Sequence, residues 1–118
     1  MPPGERETTR LLFVCTANSE RSPTAEELFL TSRRYVAASA GIHRAAARVI
    51  TQQLVDWADV IFVMSEAEDA HATILERSFD LSGTRLVDLG IPDMYPRGSE
   101  KLKELLRVIL GSYLRLGE

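Results

Sequence analysis

Two short stretches, LLFVC (Leu11 to Cys15) and VIFVM (Val60 to Met64), are continuously apolar. A strand covered on one face alternates apolar with polar residues. A strand covered on both faces reads as an unbroken apolar run, and such strands belong to parallel sheets wrapped by helices. The segments around the two runs carry helical periods. Ala25, Leu28, Phe29 and Ser32 share one face, which predicts a helix over Pro23 to Arg33 with Ser22 as its cap and Pro23 at its first position. Thr51 heads a short helix carrying Leu54, Val55 and Trp57. Ser65-Glu66-Ala67-Glu68 has capping-box spacing, and Ala67, Ala70, Ile74 and Leu75 form the inner face of the helix it starts. Leu102, Leu105, Leu106, Ile109, Leu110 and Tyr113 make the stripe of a last helix beginning near Ser99, expected to be core. YVAASAG (Tyr35 to Gly41) and TRLVDLG (Thr84 to Gly90) supply two weaker strands.

The resulting order, β-α-β-α-β-α-β-α, predicts an α/β fold, a four-stranded parallel sheet with helices on both faces; right-handed crossovers leave few windings, and with the first strand inside the sheet the strand order is 2-1-3-4. In that winding a ligand crevice opens at the carboxyl end of the first strand, where Cys15 stands. At 118 residues the chain is expected to hold one domain, residues 11–118, behind a polar and flexible lead of residues 1–10 with no apolar core of the secretory-signal type.

Composition narrows the function classes. Apolar residues make up 45% and the net charge is −3, which gives no electrostatic footprint for nucleic acid or anionic membrane, and no apolar run is long enough to span a bilayer. One cysteine excludes an internal disulfide, and with two histidines it gives no zinc-ligand spacing. The expectation is a cytoplasmic protein with no metal and no cofactor.

The segment CTANSERSP (Cys15 to Pro23) carries the chemistry. A strand end, a short loop and a helix start bring backbone N–H groups together as an anion site. The same surroundings and a nearby guanidinium favour thiolate over thiol. Arg21 is that guanidinium, its planar fork suited to two phosphoryl oxygens, and Ser22 can donate a hydrogen bond to the sulfur. A lone cysteine ending an apolar strand is more often an inert core residue. Arg21, Ser22 and the helix start at this spacing turn the reading toward a nucleophile.

Cys-x5-Arg-Ser-Pro after the first strand resembles the phosphate loop of the low-molecular-weight protein tyrosine phosphatases. The likeness continues through Ala25-Glu26, Ser39-Ala40-Gly41, AARVIT (Ala46 to Thr51), WADVIFVM (Trp57 to Met64) and IPDMY (Ile91 to Tyr95), in the family's order from Leu11 to about Leu110. The resemblance implies a phosphate-monoester hydrolase acting through phosphocysteine. Cys15 would attack phosphorus. Thr16, Ala17, Asn18, Ser19, Glu20, Arg21 and Ser22 would bind the phosphoryl group, with Asn18 holding the loop shape. Asp93 would be the general acid and Tyr95 a pocket wall. The implied partner is a phosphorylated protein or a small phosphomonoester. Arsenate reduction with an external thiol, or phosphate binding with little turnover, are the alternatives.

The chain departs from the family pattern in three places. Gly41 reaches Ala46 in a few residues, without the usual helix-bearing segment. Only Tyr95 follows Asp93, where two aromatics are common. Ala17 and Glu20 stand where the loop commonly has Gly and a second Cys. Outside the loop, His71 is expected to be a satisfied structural histidine, His43 no catalytic base, Asp88 a local pairing or capping group and Trp57 a packing residue.

Overall fold

The computed structural model describes residues 8–116. The four strands are β1 (Thr9–Cys15), β2 (Tyr35–Gly41), β3 (Val60–Val63) and β4 (Arg85–Asp88), all parallel in the order β2-β1-β3-β4. The helices are α1 (Arg21–Glu27), α2 (Gln52–Trp57), α3 (Glu66–Asp69), α4 (His71–Ser78) and α5 (Glu100–Leu110). The expected α/β sheet, its strand order and its two-sided helical cover are all present.

β1 shows why its sequence is a continuous run. Leu11, Phe13 and Cys15 face one layer, where α1 and α5 pack through Ala25, Leu102, Leu106 and Leu110. Leu12 and Val14 face the other layer, closed by Val55 of α2 and Leu75 of α4. Both faces of β1 are dry, and alternate residues serve two cores. Phe13 lies between the rings of Phe29 and Phe62, at centroid distances of 5.7 and 5.4 Å. Its complete burial contributes about 1.5–3 kcal/mol. The winding reverses between β1 and β3, and right-handed crossovers put α1 and α4 on opposite faces. The carboxyl end of β1 therefore lies in the crevice of the sheet.

Four expectations are corrected. β1 begins at Thr9 rather than Leu11, so Thr9 and Arg10 of the expected flexible lead pair with Tyr35 and Val36; residues 1–7 of that lead lie outside the described residues. α1 runs from Arg21 to Glu27 instead of Pro23 to Arg33, and its cap is Glu20 rather than Ser22. Beyond Glu27 the backbone tightens into three-residue turns, with the Leu28, Phe29 and Leu30 N–H groups donating to Ala25, Glu26 and Glu27. The single helix expected after β3 is two helices, broken at Ala70, whose φ of 53° is left-handed. Of its expected inner face only Leu75 is buried; Ala67 and Ile74 are exposed, and His71 is buried instead.

The C-terminal stripe is core. Leu102, Leu106 and Leu110 are fully buried, while Tyr113 lies past the helix end with its ring edge-on to Phe62. Trp57 packs in the second layer, under the Arg10 guanidinium. Asp88 acts locally, its Oδ1 accepting from the N–H groups of Glu66 and Gly90. No helix among the described residues is long and apolar enough to cross a membrane.

Candidate active site

The loop from Thr16 to Glu20 joins β1 to α1. The carbonyls of Cys15, Thr16 and Ala17 accept hydrogen bonds from the backbone N–H groups of Ile42, His43 and Ala47, at 3.0, 3.0 and 3.1 Å. These bonds turn the carbonyls outward toward the segment after β2. Asn18, at φ 54°, turns the chain back, and its N–H donates to Cys15 Sγ at 3.2 Å. The left-handed backbone region disfavours most side chains, and asparagine tolerates it better than most.

A chain of side-chain hydrogen bonds fixes the surroundings of the sulfur. Asn18 Nδ2 donates to Ser22 Oγ and to Ser39 Oγ, both at 2.9 Å, which uses both of its hydrogens. Ser39 in turn donates to Glu26 Oε1. Ser22 Oγ, receiving from Asn18, keeps its own proton for Cys15 Sγ, 3.0 Å away, a closer partner than the Ala40 carbonyl at 3.4 Å. A carboxylate that can only accept thus orients, through three residues, a hydroxyl proton toward the sulfur. Ser39 and Glu26 lie in the two short motifs that carried the family likeness, but only the fold shows them joined.

Arg21 is almost fully buried. Its Nη1 donates to Asp69 Oδ2 at 3.0 Å and to the Ile91 carbonyl at 2.9 Å. Its Nε lies 3.8 Å from Asp93 Oδ1. Asp93 is more than half exposed, on a loop anchored at both ends: the Ile91 N–H donates to Met64, and the Gly98 N–H donates to Thr24 Oγ1.

Cys15, Thr16, Ala17, Ser19, Glu20, Arg21 and Asp93 line one cavity of about 100 Å³. Pockets that enclose a whole small ligand run to roughly 300–1,000 Å³. This one can take a phosphoryl group while the rest of a substrate stays outside. Of the expected site residues, the structure brings all but three to the cavity itself. Asn18 and Ser22 stand behind the loop as its braces. Tyr95, expected as a pocket wall, packs against the Phe13 core layer instead. Among the described residues no aromatic side chain lines the cavity, and no cluster of three or more His, Cys, Asp or Glu side chains could hold a metal ion. His43 is exposed and accepts locally from the Ala45 N–H.

His71 has both ring nitrogens engaged, as expected of a structural histidine, but one partner belongs to the loop. Its Nδ1 accepts from the Ser65 N–H at 3.0 Å, so the neutral ring carries its proton on Nε2 and donates to Thr16 Oγ1, also 3.0 Å away. Half of the expected capping box is therefore real. Ser65 Oγ accepts from the Glu68 N–H, while the Ser65 N–H goes to His71.

Burial holds the His71 pKa below its ordinary 6.5, and Arg21 adds to the shift against the opposing pull of Asp69. The unfolded chain therefore takes up a proton that the folded chain refuses. Its stabilising contribution is complete above about pH 6.5 and is lost as the pH falls below that value. Chemical unfolding followed between pH 7.5 and 5.5 is expected to show stability decreasing toward acid. The decrease should become shallower in His71→Gln, and an equal slope in the two proteins would refute the assignment.

No family model matches the chain, and no curated protein matches it. Solved structures do match. A low-molecular-weight protein tyrosine phosphatase from T. tengcongensis superposes with a TM-score of 0.65 at 20% identity, over 87% of this chain and 93% of that one. The YwlE arginine phosphatase, known from Bacillus subtilis and captured with a phosphorylated active-site serine, gives 0.66 at 22%, over 88% and 95%. A thioredoxin-dependent arsenate reductase of Corynebacterium glutamicum gives 0.58 at 17%; the alignment takes in 92% of this chain but 59% of the reductase. The fold is that of the low-molecular-weight protein tyrosine phosphatases.

Proposed function

We propose that the chain is a cysteine-dependent phosphomonoester hydrolase of the tyrosine-phosphatase type, acting in the reducing cytoplasm through a phosphocysteine. The carrying observation is that Cys15 Sγ, with hydrogen bonds from the Asn18 N–H and the Ser22 hydroxyl, shares a phosphoryl-sized cavity with Arg21 and Asp93. The Cys15 thiolate attacks phosphorus in line as the bond to the leaving oxygen breaks. Arg21 and the loop N–H groups stabilise the three equatorial oxygens, and Asp93 protonates the leaving oxygen. In the second step Asp93 removes a proton from water, which displaces the thiolate and releases phosphate.

Cys15 is the chain's sole cysteine, so thiol chemistry gives an unambiguous test. Hydrolysis of para-nitrophenyl phosphate should disappear in step with alkylation of one thiol by iodoacetate, and inorganic phosphate should slow both losses. Hydrolysis that survives complete alkylation rejects the reading. Asp93→Ala should lower kcat about 10²-fold, the low end for general acid catalysis because para-nitrophenolate leaves without much help. An unchanged kcat would move the acid to another group.

A second reading, a phosphate- or phosphoprotein-binding module with little turnover, draws on Glu20, an acidic residue among those lining the same cavity. Stoichiometric phosphate binding with no Cys15-dependent turnover would favour it. Arsenate reduction would instead show arsenate consumption that depends on an added thiol.

A further inference from the structure

We propose that Asp69 is the positioning residue of Arg21, fixing which edge of the guanidinium meets a bound phosphoryl group. The inference rests on the reading of the loop as a phosphate site. Arg21 has five N–H donors. The two on Nη1 are used by Asp69 Oδ2 at 3.0 Å and the Ile91 carbonyl at 2.9 Å, and neither Asp69 nor Ile91 lines the cavity. The opposite edge remains, Nε and Nη2, the pair that can grip two oxygens of one phosphoryl group in parallel. Nε already lies toward Asp93, which does line the cavity. Asp69 thus holds the inner corner of the fork while the outer edge faces the substrate.

The backbone is bent to make this contact. Asp69 ends the four-residue α3, and the next residue, Ala70, is left-handed at φ 53°, a conformation that costs an alanine energy and persists where the surroundings enforce it. The bend turns both neighbours of Ala70 toward the loop: Asp69 holds Arg21 at its end, and His71 holds Thr16 at its beginning. A helix running straight from Glu66 to Ser78 would not present residues two apart to the same partner.

The sign of the effect separates positioning from simple charge balance. Removing a carboxylate beside an anion site by itself strengthens anion binding. Losing the orientation of a buried guanidinium weakens it. Asp69→Ala is therefore expected to weaken the binding of inorganic phosphate to the full chain, measured by calorimetry, by roughly tenfold or more, as a misplaced binding group does. Asp69→Asn, which keeps an acceptor oxygen for Nη1, should retain most of the affinity. Asp69→Glu, which keeps the charge but moves it, should lose more than Asn does, and this pair decides the matter if the alanine variant fails to fold. With Arg21→Met in place, Asp69→Ala should cause no further loss.

Equal or tighter phosphate binding in Asp69→Ala, Glu retaining more than Asn, or a further loss on top of Arg21→Met overturns the proposal. These outcomes do not depend on turnover. A chain that binds phosphate in this Asp69-dependent way but does not hydrolyse esters refutes the hydrolase reading alone. A chain that binds no phosphate refutes both.

Discussion

Arg21→Met should lower kcat for para-nitrophenyl phosphate by about 10³–10⁵-fold, the range a guanidinium contributes to a phosphoryl-transfer transition state. The site leaves no substitute. Among the residues lining the cavity Arg21 is the one cation, and Asp93 and Glu20 beside it are carboxylates. Without Arg21 the loop N–H groups would face the phosphoryl charge alone, with the Asp93 carboxylate nearby. The loss is expected in structure as well as rate. Arg21 is 2% exposed and is the largest fully buried side chain among the described residues, while Asp69, its partner, is 24% exposed. Removing one member of a buried pair costs about 3–5 kcal/mol; water can reach Asp69, which puts the cost here at the low end, about 3 kcal/mol. Steady-state kinetics and urea unfolding of the same protein check the two halves. A kcat within tenfold of wild type would remove Arg21 from the chemistry, whatever the stability.

The parts of this site differ in how far the sequence reveals them. β1 and β3 are legible because two-sided burial leaves an unbroken apolar run, and nothing else in a chain this short looks similar. Cys15, Arg21 and Ser22 are legible because one tight loop holds them, so their spacing is their geometry. The start of α1 is not. Ser22-Pro23 has the composition of a helix entry, but the loop curls directly into the helix at Arg21, and the Glu20 carbonyl already accepts from the N–H and Oγ1 of Thr24. Ser22 is drawn inward to the sulfur instead of capping. The break at Ala70 carries no glycine to announce it, and Ala67 and Ala70 fit an inner helical face as well as an exposed one. Contacts to Thr16 and Arg21, roughly fifty residues earlier in the chain, decide that bend. Asp69 is invisible for the same reason: its role exists only once β3 lies beside β1. Tyr95 differs in kind: an aromatic two residues past Asp93 fits a pocket wall, and the fold packs it, half-buried, against the Phe13 core layer.

Gly41→Ala should cost at least about 10²-fold in kcat although the residue touches no substrate. Gly41 pairs with Cys15 across β1 and β2, so the loop from Thr16 to Glu20 folds directly over it. A Cβ placed there would lie 2.6 Å from the Thr16 carbonyl oxygen, 2.6 Å from Ala46 Cβ and 2.9 Å from the Asn18 backbone nitrogen. None of these is the flexible end of a side chain that could swing aside. Two belong to the loop backbone, and the third to the segment whose N–H groups hold the loop carbonyls outward. Relief therefore requires the loop itself to move, and a displacement near 1 Å in a group that orients a reaction is worth about 10²-fold. The Asn18 N–H to Cys15 Sγ bond and the His43 N–H to Thr16 carbonyl bond would be the first to lengthen. Overpacking costs about 1–3 kcal/mol in stability, a loss that a domain of ordinary stability survives, so the variant should remain folded and slow. Kinetics on the folded variant, with Cys15 alkylation measured alongside, separates the two effects. A folded Gly41→Ala with wild-type kcat would mean that the loop tolerates displacement and that its stitching to β2 does not set the geometry of the phosphate site.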